Sequence, residues 1–190
     1  MYPMFEDNLV KREVVQPLVR SCRMATQECP CGYLTDPAHE CSCSPIAIKR
    51  YMAKVSGPIL DRIDIHVEVP AVRYRELSDT SGNSERSRDV QVRVNRAREI
   101  QKRRYQKSRR IYANAHIGPR AIKQYCRLDE EGERILKRSM EAFGFSARAY
   151  HRILKVARTI ADLDGEENIL ARHISEAVQY RTLDRNLWIK

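Results

Sequence analysis

One stretch decides the predicted fold, and it reads Lys54-Val-Ser-Gly-Pro-Ile-Leu-Asp-Arg-Ile-Asp-Ile-His-Val-Glu-Val-Pro70. Apolar residues alternate with polar ones from Ile63 to Val69, which is the period-two pattern of a β-strand with one buried face. A Gly-Pro turn and a short turn of chain that ends at Asp61-Arg62 precede this strand. Arg62 therefore lies where a side chain can be held rigidly and still project outward.

The bulk composition limits the class of protein. The 190 residues suffice for one domain or two small ones, and the net charge is +10 with a pI of about 9.5. Such a charge favours an anionic partner (nucleic acid, nucleotide phosphates or an acidic protein), although a merely soluble basic surface has the same composition. No apolar run reaches the ~18 residues of a membrane span, and no secretory signal is visible. We therefore expect a cytoplasmic protein with reduced thiols and no membrane contact.

Four cysteines and one histidine fall within residues 29–43, in the segments Cys29-Pro-Cys31-Gly-Tyr and His39-Glu-Cys41-Ser-Cys43. Thiolate and imidazole are ligands that zinc prefers, four at a time in a closed site. We expect a structural zinc site on the four cysteines, with His39 as an alternate ligand or as a partner of a ligand. Two alternatives stay open. One is a compact loop of reduced thiols with His39 hydrogen-bonded, and the other is disulfides, which a reducing compartment disfavours.

The rest of the chain has the apolar spacing of helices. The pattern predicts helices over 44–55, 85–110, 118–126, 129–143, 146–163 and 169–181. Ser44 and Ser146 fit N-caps, and Gly144 and Gly165 fit helix ends. The turn-rich stretch 78–84 is the best domain boundary and divides the chain into residues 1–77 and 78–190. The expected fold class is an α/β piece followed by a helical bundle, mostly α overall.

Charge concentrates in the predicted helix over 85–110, which carries eleven Lys and Arg residues against three acidic ones and so holds +8 of the +10. Such a helix is suited to lie along a phosphate backbone, although a solvated face has the same charge. The helix over 146–163 is predicted to bury an apolar face. Its opposite, solvent-facing side is predicted to carry Arg148, Arg152, Lys155 and Asp162.

Three segments together resemble one family. The segments are Cys29–Cys43, Ser56-Gly-Pro-Ile-Leu-Asp-Arg-Ile-Asp-Ile-His66, and Ser146-Ala-Arg-Ala-Tyr-His-Arg-Ile-Leu-Lys-Val-Ala-Arg-Thr-Ile-Ala-Asp-Leu163 with Glu176-Ala-Val-Gln-Tyr-Arg181. They resemble the C-terminal part of the magnesium-chelatase-like AAA+ ATPases of the ComM/YifB family. The resemblance implies the end of the parallel sheet of an AAA+ core followed by a helical lid. It also implies a hexameric ATPase that uses ATP and Mg²⁺ and acts on DNA as a branch-migration helicase in natural transformation.

The resemblance assigns roles to three arginines. Arg62 matches an arginine finger, which reaches the γ-phosphate bound by the neighbouring subunit, whereas the residues alone favour a local ion pair with Asp61 or Asp64. Arg148 matches the sensor-2 arginine that contacts the nucleotide of its own subunit, and Arg152 is the less favoured candidate for that role. From the residues alone, Arg148 is an exposed arginine at the start of a helix.

The sequence also departs from the family pattern. None of its seven glycines forms a P-loop, there is no Walker B acidic pair, and Gln27-Glu28 stand where the family has its sensor-1 asparagine. We therefore expect a fragment that supplies the finger and sensor 2 but does not bind or hydrolyse ATP alone. The alternatives are a zinc-stabilised basic module that binds nucleic acid, and a truncated product without a present function.

Overall fold

The computed structural model describes residues 26–34, 36, 38–54, 57–67, 69, 72 and 85–186. These residues form helices α1 (Pro45–Met52), α2 (Gly57–Leu60), α3 (Ser87–Tyr105), α4 (Pro119–Tyr125), α5 (Glu130–Phe143), α6 (Ala147–Asp164) and α7 (Ala171–Asn186), with a single 3-10 turn at Asn114–His116 before α4. Within the described ranges, no helix is long and apolar enough to cross a membrane.

Helix α6 is the centre of a helical bundle. It packs against α3, α4 and α7, and α5 packs on α7. The apolar residues of α6 recur at helical spacing, so that one side of the helix is continuously buried. The core contains Ile117, Ile122, Leu136, Ile153, Leu154, Ala157, Ala161, Ile169, Ile174 and Ala177. The prediction of a mostly helical chain is confirmed for the described residues.

The ends of α5 and α6 follow the signals read from the sequence. The Ser146 side chain accepts a hydrogen bond from the backbone N–H of Ala149 at 3.2 Å, as an N-cap does. Gly144 and Gly165 end the two helices with φ angles of 52° and 77°, a left-handed conformation that glycine adopts without strain. Helix α3 ends earlier than predicted, because the Ser108 hydroxyl accepts from the N–H of Ile111 at 3.1 Å and so forms a local turn.

The stretch predicted as a strand is extended chain that lies against helices. His66 donates its backbone N–H to the Tyr180 carbonyl of α7 at 2.9 Å. Three of the alternating apolar residues are exposed, with Ile65 at 48%, Val67 at 65% and Val69 at 83%, and Ile63 is half-buried. A strand needs a neighbouring strand, and the described residues contain none, so the α/β part of the predicted fold class is not confirmed.

One side chain was placed on the wrong face by the sequence pattern. Asp162 was predicted on the solvent-facing side of α6, but its carboxylate is fully buried. The physical reason is that Arg104 of α3 and Arg158 of α6 reach the same point and neutralise it. Hydrophobic periodicity does not register such a pairing, because it scores each charged residue as a surface residue.

Candidate functional site

Arg62 lies on a tight turn at the end of α2. Its backbone N–H donates to the Ile59 carbonyl at 2.9 Å, and the next N–H donates to the Leu60 carbonyl at 3.0 Å. The side chain is exposed. Within the part of the chain that the structure describes, no carboxylate forms an ion pair with Arg62.

The two carboxylates beside Arg62 are engaged elsewhere. Asp61 accepts a hydrogen bond from the Ser146 hydroxyl at 3.1 Å and pairs with Arg181 at 3.6 Å. Asp64 pairs with Arg152 of α6. Both carboxylates therefore connect the Arg62 turn to the helical bundle rather than neutralising Arg62.

Arg181 holds this turn from inside the bundle. Its side chain is only 2% exposed, and it donates to the Ile63 carbonyl at 2.6 Å while it also contacts Asp61. Because a guanidinium can donate several bonds in one plane, a single side chain fixes two points of the turn. Sequence reasoning missed this role, since Arg181 stands at the end of a predicted amphipathic helix.

A groove of about 810 Å³ lies between the extended segment and the helices α6 and α7. Its lining is mostly apolar and includes the cations Arg148, Arg152 and Lys155 and the carboxylates Asp64 and Glu176. Arg148 lines the groove and is exposed in the first turn of α6. Arg152 also lines the groove but is already paired with Asp64, and Lys155 donates to the Ala115 carbonyl at 3.0 Å. Desolvation lowers the pKa of Lys155. A mostly apolar groove with cations among its lining residues suits a ligand that has both an apolar ring and an anionic group.

The predicted metal ligands lie together in one cluster. The cysteine cluster consists of Cys29, Cys31, Cys41 and Cys43, whose sulfur atoms all lie within 4.8 Å of one another. A backbone hydrogen bond from Tyr33 and a contact with Cys29 lower the pKa of Cys31 to about 6. Four close thiols in this arrangement are compatible with a zinc ion.

His39, the predicted alternate ligand, lies beside this cluster in a different interaction. Its Nδ1 is 3.0 Å from an Asp36 carboxylate oxygen, and its side chain is 62% exposed. Its ring also stacks on that of Tyr33, with 4.8 Å between the ring centres. The Asp36 carboxylate thus occupies the ring nitrogen nearest to the backbone.

The cations of α3 divide into two groups. One group is paired with carboxylates. Arg104 donates to both oxygens of the buried Asp162, one of them at 2.7 Å. Arg93 and Lys102 pair with acidic residues of the same segment. Arg88, Arg96, Arg98 and Arg103 are exposed and form no ion pair with a carboxylate of the described residues. Arg96 lies against Gly165, and we call the other three the basic face of α3. The charge available to a partner is therefore smaller than the sequence count indicates.

Two family models match this chain. The model described as "Magnesium chelatase, subunit ChlI C-terminal" covers residues 84–181, and that described as "Magnesium chelatase, subunit ChlI" covers residues 11–77. The chain therefore belongs to the magnesium-chelatase-like family of AAA+ proteins.

Within this family the chain is similar to proteins named ComM and YifB. It is 40% identical over 158 residues to the competence protein ComM of Haemophilus influenzae. The aligned region is 83% of this chain and 30% of the relative. It is 41% identical over 145 residues to the uncharacterised protein YifB of Escherichia coli. Here the aligned region is 76% of this chain and 28% of the relative. An uncharacterised Mycobacterium tuberculosis protein is 29% identical over 158 residues, again 83% of this chain and 30% of the relative. The chain thus spans less than a third of the length of the curated relatives it matches.

Proposed function

We propose that this chain is the C-terminal portion of an ATP-dependent AAA+ motor that remodels DNA, as a branch-migration helicase in natural transformation. In this proposal residues 1–77 belong to the ATPase core, and residues 78–190 form the helical lid domain. The complete protein forms a hexamer that binds ATP and Mg²⁺. The chain alone supplies an arginine finger and a sensor 2 and hydrolyses no ATP. The family match and the similarity to a competence protein support this assignment.

The observation that carries the proposal is the environment of Arg62. The two carboxylates able to neutralise it locally are paired with other residues, and its turn is fixed to α6 and α7. An exposed guanidinium on a fixed turn is suited to reach a phosphate group on a neighbouring subunit, where it stabilises charge in the transition state. A local ion pair, the alternative role for Arg62, lacks its acidic partner among the described residues.

Arg148 is the proposed sensor 2. It is exposed at the N-terminal end of α6, where the helix dipole and the guanidinium both favour an anion. It also lines the groove beside the Arg62 turn. Arg152 is less suited to bind nucleotide, because Asp64 already neutralises it.

ATP hydrolysis tests the finger. We expect the purified chain to show none, and we expect hydrolysis from a chimera that joins this chain to the N-terminal part of the Haemophilus influenzae relative. In the chimera, Arg62→Ala should lower turnover by roughly 10³-fold or more, the effect typical of removed fingers. The matched control is Arg134→Ala, which removes an exposed arginine of α5.

Two outcomes contradict the finger. One is an Arg62→Ala chimera that keeps the turnover of its parent. The other is ATP hydrolysis by the isolated chain that Arg62→Ala abolishes, since this would mean that the chain contains a complete site. A mixture of the Arg62→Ala chimera with a chimera disabled in its P-loop should regain part of the activity, because a finger acts between subunits.

The basic face of α3 is the proposed DNA contact. Its three arginines are exposed, whereas the buried residues of the helix are Ala97, Gln101 and Tyr105. Exposed guanidinium groups neutralise phosphates without reading bases, so we expect binding that depends on salt rather than on sequence.

Fluorescence anisotropy with duplex DNA tests this contact over a range of salt concentrations. Replacing the three arginines of the basic face with alanine should reduce the slope of log K against log salt by about 2 to 3 units, close to 0.9 per phosphate contact. The control removes the same charge from exposed positions of α5, with Arg134, Lys137 and Arg138 changed to alanine. Equal effects of the two triple variants would refute the contact. Salt-dependent binding by the basic face combined with an inactive chimera would favour the alternative function, a nucleic-acid-binding module.

A further inference from the structure

We propose that the cysteine cluster binds one zinc ion in a closed tetrathiolate site that orders the segment leading into the Arg62 turn. This inference does not depend on the ATPase assignment. It concerns a region outside the helical core, in which Cys29 is the one fully buried side chain between residues 26 and 54 of the described chain.

The sulfur positions fit a single metal ion. Cys29 and Cys31 have sulfur atoms 3.3 Å apart, Cys31 and Cys41 3.5 Å, and Cys41 and Cys29 3.8 Å. A tetrahedral ion with Zn–S bonds of about 2.3 Å requires sulfur atoms about 3.8 Å apart. Small shifts of the side chains therefore convert the cluster into a tetrahedral site.

The same distances exclude a polynuclear cluster in this geometry. The four thiolates of an iron–sulfur cluster are distributed over at least two iron atoms, so the inorganic sulfide core separates some of them. Sulfur atoms within 4.8 Å of one another leave no room for such a core. A tetrahedral set of four thiolates is typical of zinc or of an iron–sulfur site, so the set around a single ion favours zinc.

The arrangement of ligands indicates a structural site rather than a catalytic one. Four protein thiolates fill all coordination positions, so none remains for water or substrate. His39 is held by Asp36 and is not needed as a fifth donor. The metal contributes by joining two ligand pairs that are separated by a loop of nine residues, Gly32–Glu40.

The position of the cluster shows what the metal orders. Helix α1 begins directly after Cys43, with Ser44 as its N-cap, and it contains no fully buried residue. Ile46 of this helix is 74% exposed. A segment with so little apolar burial does not recover the conformational entropy lost on folding, and small segments of this kind are commonly stabilised by a metal. Zinc binding would therefore fix the loop and the start of α1 together.

Metal analysis of the full chain is the first test. We expect one zinc per chain that survives dialysis and is lost on treatment with a chelator. Cys41→Ser should lower the zinc content at least several-fold, whereas Cys126→Ser and His39→Ala should leave it unchanged. Circular dichroism of each variant checks that α3 to α7 remain folded, because the cluster lies outside their core.

Cobalt substitution is the second test. Tetrahedral cobalt bound by thiolates gives a charge-transfer absorption that weakens with each sulfur removed, so Cys41→Ser should reduce it and His39→Ala should not. Chelation should expose residues 26–54 to limited proteolysis and leave the bundle protected. Two results of metal analysis would overturn the proposal: zinc that remains in a variant lacking all four cysteines, and a chain free of metal after expression with added zinc. It would also be overturned by iron with acid-labile sulfide, or by a disulfide in the chain purified under reducing conditions.

Discussion

Removing the Asp162 carboxylate should destabilise the helical bundle more than any exposed change. This buried group accepts hydrogen bonds from Arg104 at 2.7 Å, from Asn114 at 2.8 Å and from Arg158 at 3.2 Å. Asp162→Ala leaves two guanidinium groups close together inside the bundle with no anion between them. Breaking a buried ion pair in this way costs about 3–5 kcal/mol of the free energy of unfolding.

Urea denaturation of the full chain, followed by circular dichroism, measures this loss. With a slope of about 2 kcal/mol per molar urea, the midpoint should fall by roughly 2 M. The control is Glu99→Gln on the exposed side of α3, for which we expect a change within about 0.5 kcal/mol.

A double-mutant cycle with Arg104→Ala identifies the partner. The two substitutions should show an interaction energy on the order of 1–3 kcal/mol, since each removes the same contact. A loss below about 1 kcal/mol for Asp162→Ala, or additive effects in the cycle, would refute the inferred role of this carboxylate.

Two further measurements address other parts of the molecule. Ser146→Ala removes the N-cap of α6 and the hydrogen bond to Asp61, and it should lower the free energy of unfolding by about 1 kcal/mol in the same urea assay. Ser146→Asn keeps a capping oxygen and should lower it less. Equal losses for the two variants would contradict the capping role. Burial raises the pKa of Cys126 from 9.0 to about 11. At pH 8 its thiolate fraction should therefore fall roughly 100-fold, and alkylation followed by mass spectrometry should be slower by about that factor than in the urea-unfolded chain. Similar rates in the two states would show that the thiol is accessible and unperturbed.

Local signals in the sequence were sufficient to predict six of the seven helices in the described residues, all except the four-residue helix α2. The cap at Ser146 and the glycines at 144 and 165 act within one turn of chain, so the sequence contains all the information that determines them. The grouping of the four cysteines was predicted for the same reason, because two ligand pairs ten residues apart need only one loop to meet.

Long-range contacts could not be predicted in this way. Asp162 appears to be a surface residue until Arg104 is known to face it, and these two residues are 58 positions apart. The segment from Ile63 to Val69 has the alternation of a strand, but alternation states only which residues share a side. Alternation does not show whether another strand lies beside this one, because the partner can come from a distant part of the chain. In the described residues the neighbours are helices.

The hydrogen bond from the Arg181 side chain to the Ile63 carbonyl has a consequence for the order of folding during synthesis. The two residues are 118 positions apart. The hydrogen bond from the His66 N–H likewise needs the Tyr180 carbonyl, which is synthesised much later. At about 5–20 residues per second, a ribosome needs roughly 6–24 s to add the intervening chain. The turn that carries Arg62 therefore reaches this arrangement only after residue 181 has been synthesised.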